Sequence, residues 1–181
     1  VILDGRRRLV ARVKPPAPDP IAEARRQWEA HGWTDAAAGM TAVTSIMRAH
    51  QLLLARVDEA LRPYSLSFAR YEMLTLLSFT REGRMPLASA ARRLQVHPTS
   101  VTNTVDRLEA AGLVRREPHP TDGRATLVAL TDTGRAVAAA ATASLNADVF
   151  SQPGLDADDT ETLIAVTTRL RAAAGDTTAD A

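Results

Sequence analysis

The stretch that most limits how this chain can fold is QVHPTSVTNTVDRLEAAGLVRREPHPTDGRATLVALT, residues 95–131. It reads as a helix, a short strand, a tight basic loop and a returning strand. The helix opens at His97-Pro98, because proline lacks only an N–H that the first helical position leaves unbonded anyway. It closes at Gly112, the residue type that most easily takes a left-handed cap. Between them Val101, Thr104, Val105, Leu108 and Ala111 recur at three- and four-residue spacing and predict one inward stripe. The opposite face carries Thr99, Thr102, Asn103, Asp106 and Arg107. Hydroxyls and amides bond base edges in a major groove, whereas a merely solvated face more often carries Lys and Glu.

Leu113–Arg116 is a first strand candidate, and the apolar, partly β-branched Ala125–Leu130 is a second. Between them lies EPHPTDGR, whose prolines and Asp122-Gly123 force a turn. The hairpin carries Arg124 at its tip, His119 nearby, and Arg115 and Arg116 at its base. An ordinary solvated hairpin is the plain alternative. Against it, cations crowd a short excursion directly after a polar helix, an arrangement suited to probing phosphates or a minor groove. Helix and hairpin together describe a winged helix-turn-helix.

The run from Leu66 to Arg135 resembles the MarR family of bacterial regulators. The matching pieces are VHPTSVTNTVDRLEAAGLVRR, the wing PTDGR, and VALTDTGR. The family wing carries an Asp-x-Arg signature, matched by Asp122 and Arg124; its middle position, often Arg in the family, is Gly123 here. The resemblance implies that Arg124 enters the minor groove and that Asp122 holds it by an ion pair. It also implies a homodimer, one winged helix per subunit, and a ligand pocket between DNA-binding and dimerisation parts. Some urate-responsive members have an extra N-terminal helix with a Trp in the ligand pocket, and the segment around Trp28 is similar to it. Arg70 and Tyr71 fall where the family often places a ligand-contacting face, with a core-edge role as the ordinary reading.

At 181 residues the chain suits one domain or two small lobes, and 45% apolar with 24% charged residues is ordinary for a globular protein. The net charge of +1 says little, but its distribution says more. Residues 81–124 carry eight Arg and five acids, whereas residues 131–181 carry eight acids and three Arg. Positive charge therefore gathers around the proposed reader, as phosphate steering requires. There is no cysteine, which excludes disulfides, Cys-based zinc sites and thiol-based peroxide sensing, so a ligand must be sensed by non-covalent contacts. No signal peptide and no membrane-length apolar run is found, so the expected location is cytoplasmic. His31, His50, His97 and His119 are scattered, and no nucleophile elbow or Gly-rich phosphate loop occurs, so no enzyme, cofactor or metal is expected.

The chain divides into five segments. Residues 1–19 combine a basic arm (Arg6, Arg7, Arg8, Arg12, Lys14) with the helix-averse linker PPAPDP. A disordered tail is preferred there over an arm adding phosphate contacts. Residues 20–65 hold N-terminal helices for dimerisation, one from Ile21 to His31 capped by Asp19 and one from Thr34 to Leu61. On the second, Met40, Val43, Ile46, Met47, Leu53, Leu54, Val57 and Leu61 form an apolar stripe, with Arg48 and Arg56 off it and solvated. His50 lies on that stripe, either as a core histidine or as a pocket residue able to bond an effector carboxylate or phenol. Trp28 and Trp33 pack onto the long helix or across a dimer partner, with Trp28 as a ligand contact in the alternative.

Residues 66–131 form the DNA-binding domain. Within it Phe68–Thr80 is a helix burying Tyr71, Leu74 and Leu77, and Met85–Leu87 is a small strand backing the wing. Ala88–Leu94 is the first helix of the helix-turn-helix, with Arg92 and Arg93 facing out. Residues 132–175 form C-terminal dimerisation helices, one capped by Thr131 and running to about Phe150, the other capped by Asp156 and carrying Leu163, Ile164, Val166 and Leu170. The first and last helices are expected to form the dimer interface. The run AAAGDTTADA should fray, with 176–181 as a tail.

The expectation is a mainly α fold with a small β-wing: a winged helix-turn-helix plus a helical dimerisation region. It is read as a ligand-responsive repressor whose two recognition helices enter successive major grooves of a pseudopalindromic site. Thr99, Ser100, Thr102 and Asn103 contact bases, Arg92, Arg107 and Arg116 neutralise phosphates, and Arg124 with Asp122 probes the minor groove. The candidate ligand contacts are Trp28, His50, Arg70 and Tyr71. Partners are double-stranded DNA, a small aromatic or carboxylate effector and a second copy of the chain, with no membrane. The alternative is a winged helix used as a protein–protein module without a specific DNA target.

Overall fold

The computed structural model describes residues 18–122 and 125–176. The basic arm, Gly123, Arg124 and residues 177–181 lie outside them, and so do the readings placed on those residues. The chain divides into two compact units, residues 1–51 and 52–181.

In the first unit, helix α1 (Pro20–Ala30) begins as expected: the Asp19 side chain accepts the Ile21 N–H at 3.0 Å, with Pro20 at the first helical position. Gly32 turns the chain with φ 81° into helix α2 (Thr34–Leu61). At this corner Trp33 meets Trp28 edge-on at 5.2 Å and stacks on His31 at 5.4 Å. Trp28 is half-buried and Trp33 exposed. The stripe on α2 exists but stays uncovered, with Val43, Ile46 and Met47 all exposed. His50 is exposed as well, which overturns a core place for it: the helix face that carries it is bare in the single chain.

The second unit begins with the last turns of α2, where Val57 and Leu61 are buried although Leu52, Leu53 and Leu54 are exposed. Pro63 ends the helix through a 3-10 turn, Arg62–Tyr64, and Ser65 adopts φ 54°. There follow α3 (Phe68–Ser78), β1 (Arg84–Pro86), α4 (Leu87–Leu94), α5 (Pro98–Ala110), β2 (Val114–Pro118), β3 (Thr126–Leu130), α6 (Asp132–Leu145) and, after a π turn over Asn146–Phe150, α7 (Ala157–Ala173). The antiparallel sheet has the order β1-β3-β2, with Val128 facing Met85 on one side and Arg116 on the other. The third strand expected at Met85–Leu87 is thus present one residue earlier, and Leu87 instead opens α4.

The core joins α3, α5, the sheet and α6 through Leu61, Met73, Leu74, Leu77, Val105, Leu108, Val114, Val128 and Leu145, all essentially inaccessible. Each such side chain contributes roughly 1.5–3 kcal/mol by leaving water. Two hydroxyl bonds stitch α6 to the preceding elements, Tyr71 Oη to Thr142 Oγ1 at 3.1 Å and Tyr64 Oη to Ser144 Oγ at 2.7 Å. Thr131 caps α6, accepting the Gly134 N–H at 2.9 Å, and its own hydroxyl lies 2.8 Å from Gly112 O.

Three further expectations need correction. Ala111 is exposed, because it is the cap beyond the last helical turn and the stripe ends at Leu108. Arg56 is not simply solvated: its guanidinium donates to Asp148 O at 2.9 Å, Gln152 O at 2.6 Å and Pro153 O at 3.4 Å. It thereby satisfies carbonyls that the end of a helix leaves open. The run from Ala172 to Asp176 is ordered, since α7 continues to Ala173 and closes through Gly175 at φ 72°. Helix α7 leaves Leu163, Ile164, Val166 and Leu170 exposed.

Candidate nucleic-acid interface

Helix α5 is fixed from below and free above. Val101, Val105 and Leu108 are buried, while Thr99, Ser100, Thr102, Asn103, Asp106 and Arg107 are exposed. The His97 side chain, not an Asp or Ser, caps it: Nδ1 accepts the Thr99 N–H at 3.2 Å. Thr102 Oγ1 donates to Pro98 O at 3.2 Å, so its hydroxyl proton is engaged while its lone pairs still face outward. Across the turn, Arg92 is exposed and donates to Ser89 Oγ at 3.1 Å, and Arg93 is exposed beside it. Arg92, Arg93 and Arg107 make no ion pair among the described residues.

The cations at the wing base behave differently. Arg116 bonds Asp106 Oδ1 at 2.5 Å and also pairs with Glu109, both on α5, while its backbone N–H donates to Glu109 Oε1 at 2.9 Å. The bond to Asp106 raises the pKa of the guanidinium against the opposing effect of burial, and Glu109 adds to the rise. Arg116 was expected to neutralise phosphate; here its guanidinium is engaged by two acids of α5, Asp106 and Glu109. Arg115 pairs with Glu117 at 2.7 Å, and Arg84 bridges Glu82 at 2.7 Å and Glu117 at 3.2 Å. The hydrogen bond from Arg84 is the main cause holding the Glu117 carboxyl below its ordinary value, with Arg115 assisting and burial opposing.

His119 organises the described part of the wing loop. Its Nδ1 accepts the N–H of Asp122 at 3.1 Å and lies 3.4 Å from that of Thr121, which requires the proton to sit on Nε2. His119 N–H bonds Ala125 O at 3.2 Å and Ala125 N–H bonds Asp122 O at 3.0 Å, closing the loop. Asp122 is exposed at its end.

The proposed base-reading residues Thr99, Ser100, Thr102 and Asn103 therefore share one exposed end of one helix, with Arg107 a turn further on. The four ligand candidates are divided: Trp28 and His50 belong to the first unit, Arg70 and Tyr71 to the second. Arg70 is half-buried with Nε on Ser67 Oγ at 3.2 Å, and Tyr71 is buried with its hydroxyl committed to Thr142. Sequence reasoning missed Glu109 and Glu117 as partners of the wing arginines. A period-two reading of β2 held the signal, since it puts Arg116 on the inward face with buried Val114 and leaves Arg115 outside.

Comparison with protein families matches residues 68–126 to the MarR family. An HTH-type transcriptional regulator of Mycobacterium leprae is 38% identical over 79 residues, 44% of this chain and 52% of the relative. The chain thus spans about half the length of the curated relatives it matches. The crystal structure of Sco5413, a MarR family transcriptional regulator from Streptomyces coelicolor, is similar with a TM-score of 0.69 and 50% identity, covering 77% of this chain and 96% of that one. A mutant MarR from E. coli complexed with operator DNA is similar with a TM-score of 0.65 and 25% identity, covering 70% of this chain and 91% of that one.

Proposed function

The chain belongs to the MarR family of transcriptional regulators, a family of regulators and not of enzymes, and from that premise we propose that it is a ligand-responsive, DNA-binding repressor acting as a homodimer. The observation that carries the reading is the exposed end of α5. There Thr99, Ser100, Thr102 and Asn103 offer hydroxyls and an amide, and the flanking Arg92 and Arg107 have no acid partner among the described residues. Uncharged donors and acceptors discriminate base edges, and the flanking cations hold the backbone. Asp122 and Arg124 are proposed for the minor groove alongside, and Arg116 is reassigned from phosphate contact to brace.

The homodimer is supported by apolar side chains left bare on two helices, Val43, Ile46 and Met47 on α2 and Leu163, Ile164, Val166 and Leu170 on α7. Large apolar side chains bared along a helix are ordinarily covered, and a two-fold axis relating two copies would present two copies of α5 to a pseudopalindromic site. A small aromatic or carboxylate effector acts by binding more tightly to the dimer form whose reading helices no longer match the half-sites. Trp28, His50 and Arg70 remain its proposed contacts; Tyr71 joins them only if its bond to Thr142 is exchanged.

The test is selection of duplexes from a randomised pool by the full chain, followed by titration against competitor DNA over a range of salt concentrations. One or a few sequences should enrich. Asn103→Ala should then lose about 1–3 kcal/mol on the selected duplex alone, and Arg92→Ala should weaken every duplex and lower the salt slope by about one. Failure to enrich any sequence refutes the reading and favours a protein-binding winged helix. Equal losses on selected and random DNA remove Asn103 from the base-reading set.

A further inference from the structure

The C-terminal ends of α4 and α7 close in the same way and are joined to each other. At the end of α4, Gln95 is left-handed (φ 54°, ψ 39°), its N–H bonding Arg92 O at 3.3 Å and the Val96 N–H bonding Ala91 O at 3.2 Å. At the end of α7, Gly175 is left-handed (φ 72°), its N–H bonding Ala172 O at 3.0 Å and the Asp176 N–H bonding Arg171 O at 3.0 Å. Both are Schellman caps, which favour glycine at the left-handed position. Glycine stands there in α7, but α4 has a glutamine, and its amide reaches the other cap. Gln95 Nε2 donates to Asp176 O at 2.7 Å and Gln95 Oε1 accepts from Arg171 Nη2 at 3.2 Å. Arg171 Nε in turn donates to Asp176 Oδ2 at 2.6 Å, completing a closed polar ring.

This ring sits two residues ahead of His97, the cap of the reading helix. Burial does little to hold the turn between them, since Val96 and His97 are both exposed. We propose that Gln95 and Arg171 are positioning residues, a polar latch by which the last helix holds the helix-turn-helix turn and so sets where α5 begins on DNA. The proposal rests on the DNA-reading role assigned to α5. Helix α7 is also the helix that leaves Leu163, Ile164, Val166 and Leu170 bare, so a protein surface seated on that face bears on the reading helix through the latch. Neither residue touches bases in this scheme; both act through the position of Val96 and His97.

The experiment compares the full chain with Gln95→Gly, Arg171→Ala and the double variant. Gln95→Gly removes the amide while suiting the left-handed backbone, so folding is preserved. The first readout needs no DNA: amide hydrogen exchange at residues 99–101 should quicken in each variant, with the urea unfolding midpoint unchanged within error for Gln95→Gly. The second is affinity for the duplex selected by the wild-type chain, which should fall about three- to tenfold in each single variant, as expected for loss of one or two hydrogen bonds. The double variant should lose no more than the worse single one, because both break the same ring. The salt slope should not change. Unchanged exchange, unchanged affinity or additive losses overturn the latch. A slope lower by about one in Arg171→Ala also overturns it, marking a phosphate contact instead. If the wild-type chain selects no duplex, the DNA reading fails, and the exchange result alone decides whether α7 holds the turn.

Discussion

Replacing Arg116 by alanine separates two roles that one arginine at a wing base can play. As a brace it holds β2 to α5 through Asp106 and Glu109; as a phosphate ligand it would leave both acids on meeting DNA. The structural cost can be worked from exposure. The Arg116 side chain is 29% exposed, Glu109 38% and Asp106 55%, so neither pair is fully solvated and neither is buried. Exposed ion pairs contribute about 0–1 kcal/mol, and hydrogen bonds to charged groups in sheltered places about 1.5–3 kcal/mol. The sheltered Glu109 pair then carries most of a total of about 1–2 kcal/mol, because Glu109 keeps only the backbone N–H of residue 116 after the substitution. For a chain of this size that corresponds to a fall of about 2–8 °C in melting temperature. Affinity for the selected duplex should fall because the wing loosens, while the salt slope holds, since no counterion-releasing contact has been removed. Glu109→Gln supplies the control. If Arg116 is a brace, this variant loses stability in the same direction; if Arg116 is held back from phosphate by its acids, the variant binds DNA more tightly with a steeper slope. An Arg116→Ala protein with unchanged melting temperature and a slope lower by about one refutes the brace.

Other consequences can be measured on the isolated chain. Gly134→Ala places a Cβ 1.9 Å from the backbone carbonyl oxygen of Leu113, so the start of α6 must part from the base of β2; a loss of at least about 1–3 kcal/mol is expected in urea unfolding. A wild-type midpoint would refute this close approach. Arg56→Ala unties three carbonyls at residues 148–153 and should cost about 1–2 kcal/mol while exposing the segment around Gly154 to proteolysis. Arg56→Lys should recover only part, since one ammonium nitrogen cannot span the carbonyls that two guanidinium nitrogens reach; full recovery would count against the caps. Burial raises the Glu72 carboxyl above its ordinary value of 4.5, so the folded state prefers it protonated. Its favourable contribution is present below that value and is lost as pH rises through the raised folded value. Glu72→Gln should therefore be more stable than the wild-type chain at neutral pH and lose the advantage in acid; an identical pH profile for both refutes the assignment.

Much of this molecule was legible in one dimension because its signals are local. A cap needs only its own first turn, so Asp19, Thr131 and Asp156 announced α1, α6 and α7, and all three side chains accept the expected N–H groups. Periodicity likewise placed Val101, Val105 and Leu108 inward and Thr99, Thr102 and Asn103 outward on α5. The same periodicity could say that α2 has an apolar face and not that the face is bare in a single chain. His50, read on that ground as either a core histidine or a pocket residue, is exposed in the single chain.

What only the tertiary structure decided is which charges are already spent. Arg56, Arg92, Arg107 and Arg116 look alike in a sequence. One caps carbonyls more than ninety residues away, one is tied to two acids, and two stand without an acid partner among the described residues. Gln95 meets Arg171 across a separation of 76 positions, and no local rule foretells it. The physical reason is the reach of each interaction: caps and stripes act within a turn or two of backbone, whereas an ion pair or a fork onto carbonyls depends on where the packed core sets down residues remote in the chain.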